Sequence, residues 1–257
     1  MLNFKTRSQQ QEQGFTLVEV LVAILIITIF ITTAMQAVVI AAIFKARAQE
    51  YAEATAWIQE DLESMKFQAN QMESIQSMTA SNDIIKFSYH DFANANTVVF
   101  VGDGTIAGGL SKNTTYYVRD VVRNIATNTF TFKVASTAGG AAVDLTTDST
   151  GSLIGIASQK CNATSDTTGY ADSLRDLIND PNDFSSNRTS VSFSKVSRFT
   201  NKQFTLTRAT TIPSNSSDKP YNVLRINYTV TPISGGDPVA KSYTEVIPNA
   251  ALQCPSY

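Results

Sequence analysis

The sequence predicts an α+β protein in which a long N-terminal α-helix, its first half able to span a membrane, packs on an antiparallel β-sheet head. Three observations carry this reading. Residues 15–44 form an apolar run with one ionisable side chain, Glu19. A stripe of apolar residues at three- and four-residue steps then continues towards Met78, with no glycine or proline between Phe15 and Val101. Beyond it, short segments rich in branched and aromatic residues alternate with Asn, Gly, Asp and Pro turns.

Residues 1–14 are a short polar leader carrying Lys5 and Arg7. Residues 15–44 exceed the roughly 20 residues needed to cross a hydrocarbon core. Thr16, Thr28, Thr32, Thr33 and Gln36 can satisfy themselves against the helix backbone. The run is too long for a secretory signal peptide, whose apolar core has about 7 to 15 residues, despite the signal-like Ala46, Arg47, Ala48 triplet. Lys5 and Arg7 before the run balance Lys45 and Arg47 after it, so charge alone sets no orientation.

Glu19 is the anomaly. A carboxylate at the start of a membrane helix gains from the free amide dipoles there, yet at membrane depth it still requires a positive partner. No lysine or arginine lies within a turn of it. It either rests idle at the headgroup level or acquires its partner after a later change to the chain.

Gly14, Phe15, Thr16, Leu17, Val18 and Glu19, with the polar leader before them and the apolar run after, resemble the processing motif of type IV pilins and the pseudopilins of type II secretion. The resemblance implies a type IV pilin-like fold and a prepilin peptidase/N-methyltransferase that cuts after Gly14 on the cytoplasmic side and methylates Phe15. It implies a single-pass inner-membrane protein with a periplasmic head, membrane-embedded before assembly. Other pilins or pseudopilins and an inner-membrane assembly platform would be its partners, in a surface pilus or a periplasmic pseudopilus. Cutting exposes an ammonium on Phe15 in an apolar setting, where an unpaired charge is expensive. Filament assembly through Phe15 and Glu19 follows, the carboxylate of one subunit meeting the ammonium of the next.

Residues 45–79 read as the amphipathic half of the same helix. Tyr51, Ala54, Ile58, Leu62, Met65, Ala69 and Met72 form the core-facing stripe; Glu53, Glu60, Lys66 and Gln71 take the opposite side. Met65, Met72 and Met78 read as packing residues. Many pilins carry a helix-breaking proline or glycine midway through the apolar half. This chain has neither, so the spine is expected to stay helical.

Residues 80–257 read as a β-rich head. "IIKFSY", "TVVFV", "TTYYVRD" and "NTFTFKV" are expected strands. "KQFTLTR", "YNVLRINYTV" and "KSYTEVI" are expected to form an antiparallel meander whose inward residues, Phe204, Leu206, Leu224, Ile226 and Tyr228, receive the helix. The glycine-punctuated stretch 97–151 resembles a small β module of phage structural and bacterial surface proteins. It reads either as an inserted, adhesive module or as ordinary head. "GYADSLRDLINDPNDF" places Leu174, Leu177 and Ile178 on a short helix ended by Pro181. Asp172, Asp176, Asp180 and Asp183 lack the alternating ligands and central glycine of a calcium loop, and no metal or cofactor is expected.

Cys161 and Cys254 stand far apart with no third cysteine or neighbouring histidine to build a metal cluster. The pair reads as one disulfide formed outside the cytoplasm, or as two inert thiols. In the pilin family a disulfide commonly ties the terminal region to the head.

With 20 Lys and Arg against 22 Asp and Glu there is no basic stripe, and nucleic acid is not an expected partner. The single histidine, His90 beside Asp91, reads as a surface or turn residue, and no catalytic set emerges around it. A structural subunit is the expected function: a minor pilin or a pseudopilin. The alternatives are a pseudopilin of a protein- or polysaccharide-secretion system, or an adhesin displayed on the filament.

Overall fold

The computed structural model describes residues 16–124, 129–180, 188–213 and 220–254. The chain divides into two compact units, 1–49 and 50–257. Helix α1 (Leu17–Gln71, 55 residues) begins in the first and ends in the second.

In the first unit the side chains of residues 16–44 are exposed, and α1 is long and apolar enough to cross a membrane. Its threonines are satisfied locally, as expected for an apolar setting. The hydroxyls of Thr28 and Thr32 donate to the carbonyls of Ile24 and Thr28 at 2.6 and 2.8 Å, and Thr33 donates to Ile29 and Phe30.

In the second unit α1 buries Ala54, Ile58, Met65 and Ala69, with Leu62 half-buried. Tyr51, expected in this stripe, is exposed, and Glu53, expected on the far side, is half-buried. The turn at 197–202 accounts for both. Lys202 ion-pairs with Glu50 at 2.7 Å and the Arg198 backbone N–H donates to Glu53 at 2.9 Å, which centres the contact face on the acidic residues.

The helix stops at Gln71, short of Met78. Glu73 adopts φ 60°, a left-handed value that ends a helix, and no glycine advertises it. Ser74–Thr79 is instead strand β1, followed by β2 (Ile84–Phe87), β3 (Thr97–Val101), β4 (Thr115–Asn124), β5 (Thr129–Ala135) and β6 (Leu153–Ala157). These close into an antiparallel barrel of order β1-β2-β5-β4-β3-β6, with β6 returning to β1 through Ser74 opposite Ile154. The stretch 97–151 supplies β3, β4 and β5, and the barrel's other three strands lie outside it. Met72 and Met78 are buried, Met78 on a strand rather than on the helix.

Helices α2 (Ser158–Cys161) and α3 (Tyr170–Asn179) lead to a second sheet of β7 (Ser190–Val196), β8 (Gln203–Thr211), β9 (Leu224–Pro232) and β10 (Ala240–Val246), ordered β10-β9-β8-β7, and α4 (Asn249–Leu252) follows. The last three strands form the expected meander. Its inward residues Phe204, Leu206, Leu224, Ile226 and Tyr228 are all buried. The helix lies on them: the rings of Trp57 and Phe204 are 5.8 Å apart, and the Tyr228 hydroxyl donates to Asp61 at 2.7 Å. An antiparallel sheet with one face covered by an amphipathic helix is a stable two-layer arrangement.

Candidate functional site

The N-terminal segment carries the residues that the sequence singles out. Gly14 and Phe15 lie outside the described residues. Glu19 has a local partner that the charge pattern did not suggest. Its Oε2 accepts the Thr16 backbone N–H at 3.0 Å and the Thr16 hydroxyl at 3.1 Å, while the Glu19 N–H donates to the Thr16 hydroxyl at 3.3 Å. This is a capping box: Thr16 is the N-cap of α1, and Glu19, three residues on, reaches back to it. The signal was present in the sequence as Thr-x-x-Glu before an apolar run. Both donors engage the same carboxylate oxygen, and both belong to Thr16.

Cys161 and Cys254 are joined in a disulfide with Cα atoms 5.5 Å apart, linking the end of α2 to the residues after α4. A cavity of about 270 Å³ beside it is lined by Val99, Val101, Ile156, Ser158 and Gln253, and no titratable side chain enters it.

His90 is a correction. It is fully buried, not at the surface, with its ring 5.3 Å from Phe132 and 5.4 Å from Phe87. Nδ1 accepts the Phe92 N–H at 3.2 Å, which places the lone pair there. Burial, then the nearby Arg123 and Lys160 charges, hold its pKa down at about 3, so it is a neutral core residue. The aromatics flanking it in "KFSYHDF" are the sequence signal for such burial.

On α3, Asp172 bonds to Arg175, and Asp176 lies 3.9 Å from the same guanidinium. Burial pushes the Asp176 pKa up to about 7, helped by the Asp172 charge. Asp183 lies outside the described residues. Among the described residues no group of three or more His, Cys, Asp or Glu side chains is placed to hold a metal ion.

Sequence reasoning missed two buried charged sets. Arg208 sits on the inward face of β8, where alternation assigns an apolar residue. Glu73, Asp91 and Lys160 meet between the barrel and α3, drawn from positions far apart in the chain. Neither has a local sequence signature, because each depends on chain crossings.

The family described as "Prokaryotic N-terminal methylation motif" matches residues 9–35, a small part of the chain that covers the end of the leader, the capping box and the start of the apolar helix. Comparison with curated proteins and with solved structures returns no match. The chain therefore carries a prepilin-type N-terminal motif and, among the described residues, one membrane-length helix, consistent with a structural role of the pilin and pseudopilin kind.

Proposed function

We propose that this protein is a minor pilin or pseudopilin, cut after Gly14 by a prepilin peptidase, methylated on Phe15 and incorporated into a type IV pilus-like filament or a secretion pseudopilus. The observation that carries the reading is the sequence Gly14 to Glu19 placed directly at the start of a membrane-length helix. Before assembly the chain sits in the inner membrane with its head in the periplasm. Its partners are the peptidase/methyltransferase, the assembly platform and other pilins.

The capping box supports a definite role for Glu19. The peptide N–H of Thr16 lies C-terminal to the cut, so the cap survives processing and keeps the carboxylate satisfied in the free subunit. Oε1 then takes the incoming Phe15 ammonium of a neighbour. A desolvated pair of this kind acts as a register device, because leaving one partner unmatched is far more costly than the pair is stabilising.

Mass spectrometry of the N-terminal peptide from the natural host tests the reading. A chain starting at N-methylated Phe15 is expected, and an intact Met1 start would overturn it. Glu19→Ala should be processed and inserted normally yet be missing from sheared filaments.

A further inference from the structure

Three side chains from distant parts of the chain converge in the head, in an arrangement that an ordinary buried ion pair does not explain. Glu73 follows α1, its backbone held by its own N–H donating to the Tyr89 carbonyl at 2.9 Å and by the Gly155 N–H donating to its carbonyl at 3.0 Å. Its side chain is fully buried, and neither carboxyl oxygen has a hydrogen-bond partner among the described residues. Lys160 of α2 places Nζ 3.8 Å from Glu73 Oε1 and 3.0 Å from Asp91 Oδ2. Lys160 also donates to Ser173 Oγ, which donates onward to Asp91 Oδ2 at 3.1 Å. The other Asp91 oxygen, Oδ1, accepts from Arg123 Nη1 at 2.7 Å. The Tyr170 ring lies 5.7 Å from Nζ.

Each group is posed for a reaction between the two ends of the pair. Burial works against the Asp91 charge, yet Lys160, Arg123 and Ser173 together hold its carboxyl below the ordinary carboxylate range, so the neutral acid that the reaction needs arises by proton transfer from Nζ within the pair. Arg123 grips the oxygen that would carry negative charge if Cγ were attacked, as an oxyanion-stabilising donor does. Ser173 keeps amine and carboxyl in register. Glu73 is the telling member: burial pushes its pKa up to about 8, so it is a protonated acid at neutral pH. An acid this close to Nζ is placed to exchange protons with it. A Ser173 nucleophile activated by Lys160 is a poorer reading, since the lysine donates to the serine and is already paired with Asp91.

We propose that Lys160 and Asp91 form an intramolecular isopeptide bond, with Glu73 relaying protons between them. Nζ passes a proton to the Asp91 carboxyl and attacks Cγ as a free amine, forming the N–C bond. Glu73 gives its proton to the departing Oδ2 and recovers one from Nζ. The Cγ–Oδ2 bond breaks, and that oxygen leaves as water with two of the three ammonium protons. Oδ1 becomes the amide oxygen held by Arg123. Glu73 begins and ends protonated, and no oxidant or co-reactant is needed. The bond would fasten the segment after β2 to α2, one residue from Cys161, giving the head a second staple that reductants cannot open. It does not depend on the filament reading.

The test is peptide mapping of the full-length protein, purified in detergent and digested with trypsin after reduction. The expected product joins the peptides containing Asp91 and Lys160, about 18 Da lighter than their sum, the mass of one water. Trypsin should leave the chain uncut after Lys160. Recovery of only separate peptides, with normal cleavage after Lys160, would overturn the proposal in the wild-type protein itself. Glu73→Gln should slow formation roughly 100-fold or more, the usual scale of a lost acid–base group. Undiminished cross-linking in that variant would remove Glu73 from the relay.

Discussion

Arg208 of β8 and Asp61 of α1 face each other across the helix–sheet interface, Nη1 lying 2.9 Å from both carboxylate oxygens. The same guanidinium donates to Asn179 Oδ1 and to the Ile178 carbonyl at the end of α3, and Asp61 also accepts from Tyr228. One buried cation thus ties the helix and α3 to the sheet. Removing it leaves Asp61 uncompensated in a largely dry interface, and Arg208→Met is expected to destabilise the head by about 3 to 5 kcal/mol. Arg208→Lys should recover only part of this, because an ammonium lacks the planar fork. Urea unfolding of the detergent-solubilised chain, followed by Trp57 fluorescence at the same interface, measures both.

Stability should depend on pH in two opposed ways. The Glu73 pKa rises from about 4.5 in the unfolded chain to about 8 when folded. Between those values the folded state holds the extra proton, so stability declines as pH rises through the window and levels off above it. Asp176, raised from 3.8 to about 7, acts in the same direction. His90, lowered from 6.5 to about 3, acts oppositely: the unfolded chain binds the extra proton, so stability is lost as pH falls from 6.5 towards 3. Each pKa unit is worth about 1.4 kcal/mol. Melting temperatures from pH 3 to 9 should show both limbs. Glu73→Gln should flatten the alkaline one, and His90→Leu the acid one.

Gly155 on β6 is expected to tolerate no side chain. A Cβ there would lie 2.9 Å from Phe87 Cε1, 3.1 Å from its Cζ and 3.3 Å from Val98 Cγ2. Phe87 cannot swing aside, since its ring packs 4.8 Å from Phe132 and 5.4 Å from His90. Gly155→Ala should cost about 1 to 3 kcal/mol, the usual penalty of overpacking. Phe87→Leu in the same chain should give back part of that loss, a coupling that a double-mutant cycle reads directly.

Reduction of Cys161–Cys254 reopens a loop with a sequence separation of 93. By loop-closure entropy this should lower stability by roughly 4 to 5 kcal/mol. Cys161→Ser with Cys254→Ser should melt like the reduced wild type and no longer respond to dithiothreitol. A melting temperature insensitive to the reductant in the wild type would contradict the expectation.

Much of this was legible in the chain itself. The apolar run, the capping box and the processing motif are local, and local patterns survive without knowledge of the fold. The meander was equally readable, because alternation assigns Phe204, Leu206, Leu224, Ile226 and Tyr228 to one face whatever packs there. Strands β1, β6 and β7 were not. Before and into β1, Met72 and Met78 continue the helical rhythm of Met65 past the true helix end at Gln71. In β6 every position is buried, so there is no alternation to see. In β7 Ser190, Ser192 and Ser194 do alternate with Val191 and Phe193, but the inward side chains are only half-buried and the apolar signal is correspondingly weak.

By itself, the sequence determined a membrane-length helix, a prepilin-type motif and a β-rich remainder. Only the tertiary structure decided where the helix ends, that six strands close on themselves, that His90 lies in the core, and that Glu73, Asp91 and Lys160 meet. Each of these depends on long-range pairing or burial, whose energy comes from neighbours far away in the chain and leaves no periodic trace in the residues that receive it.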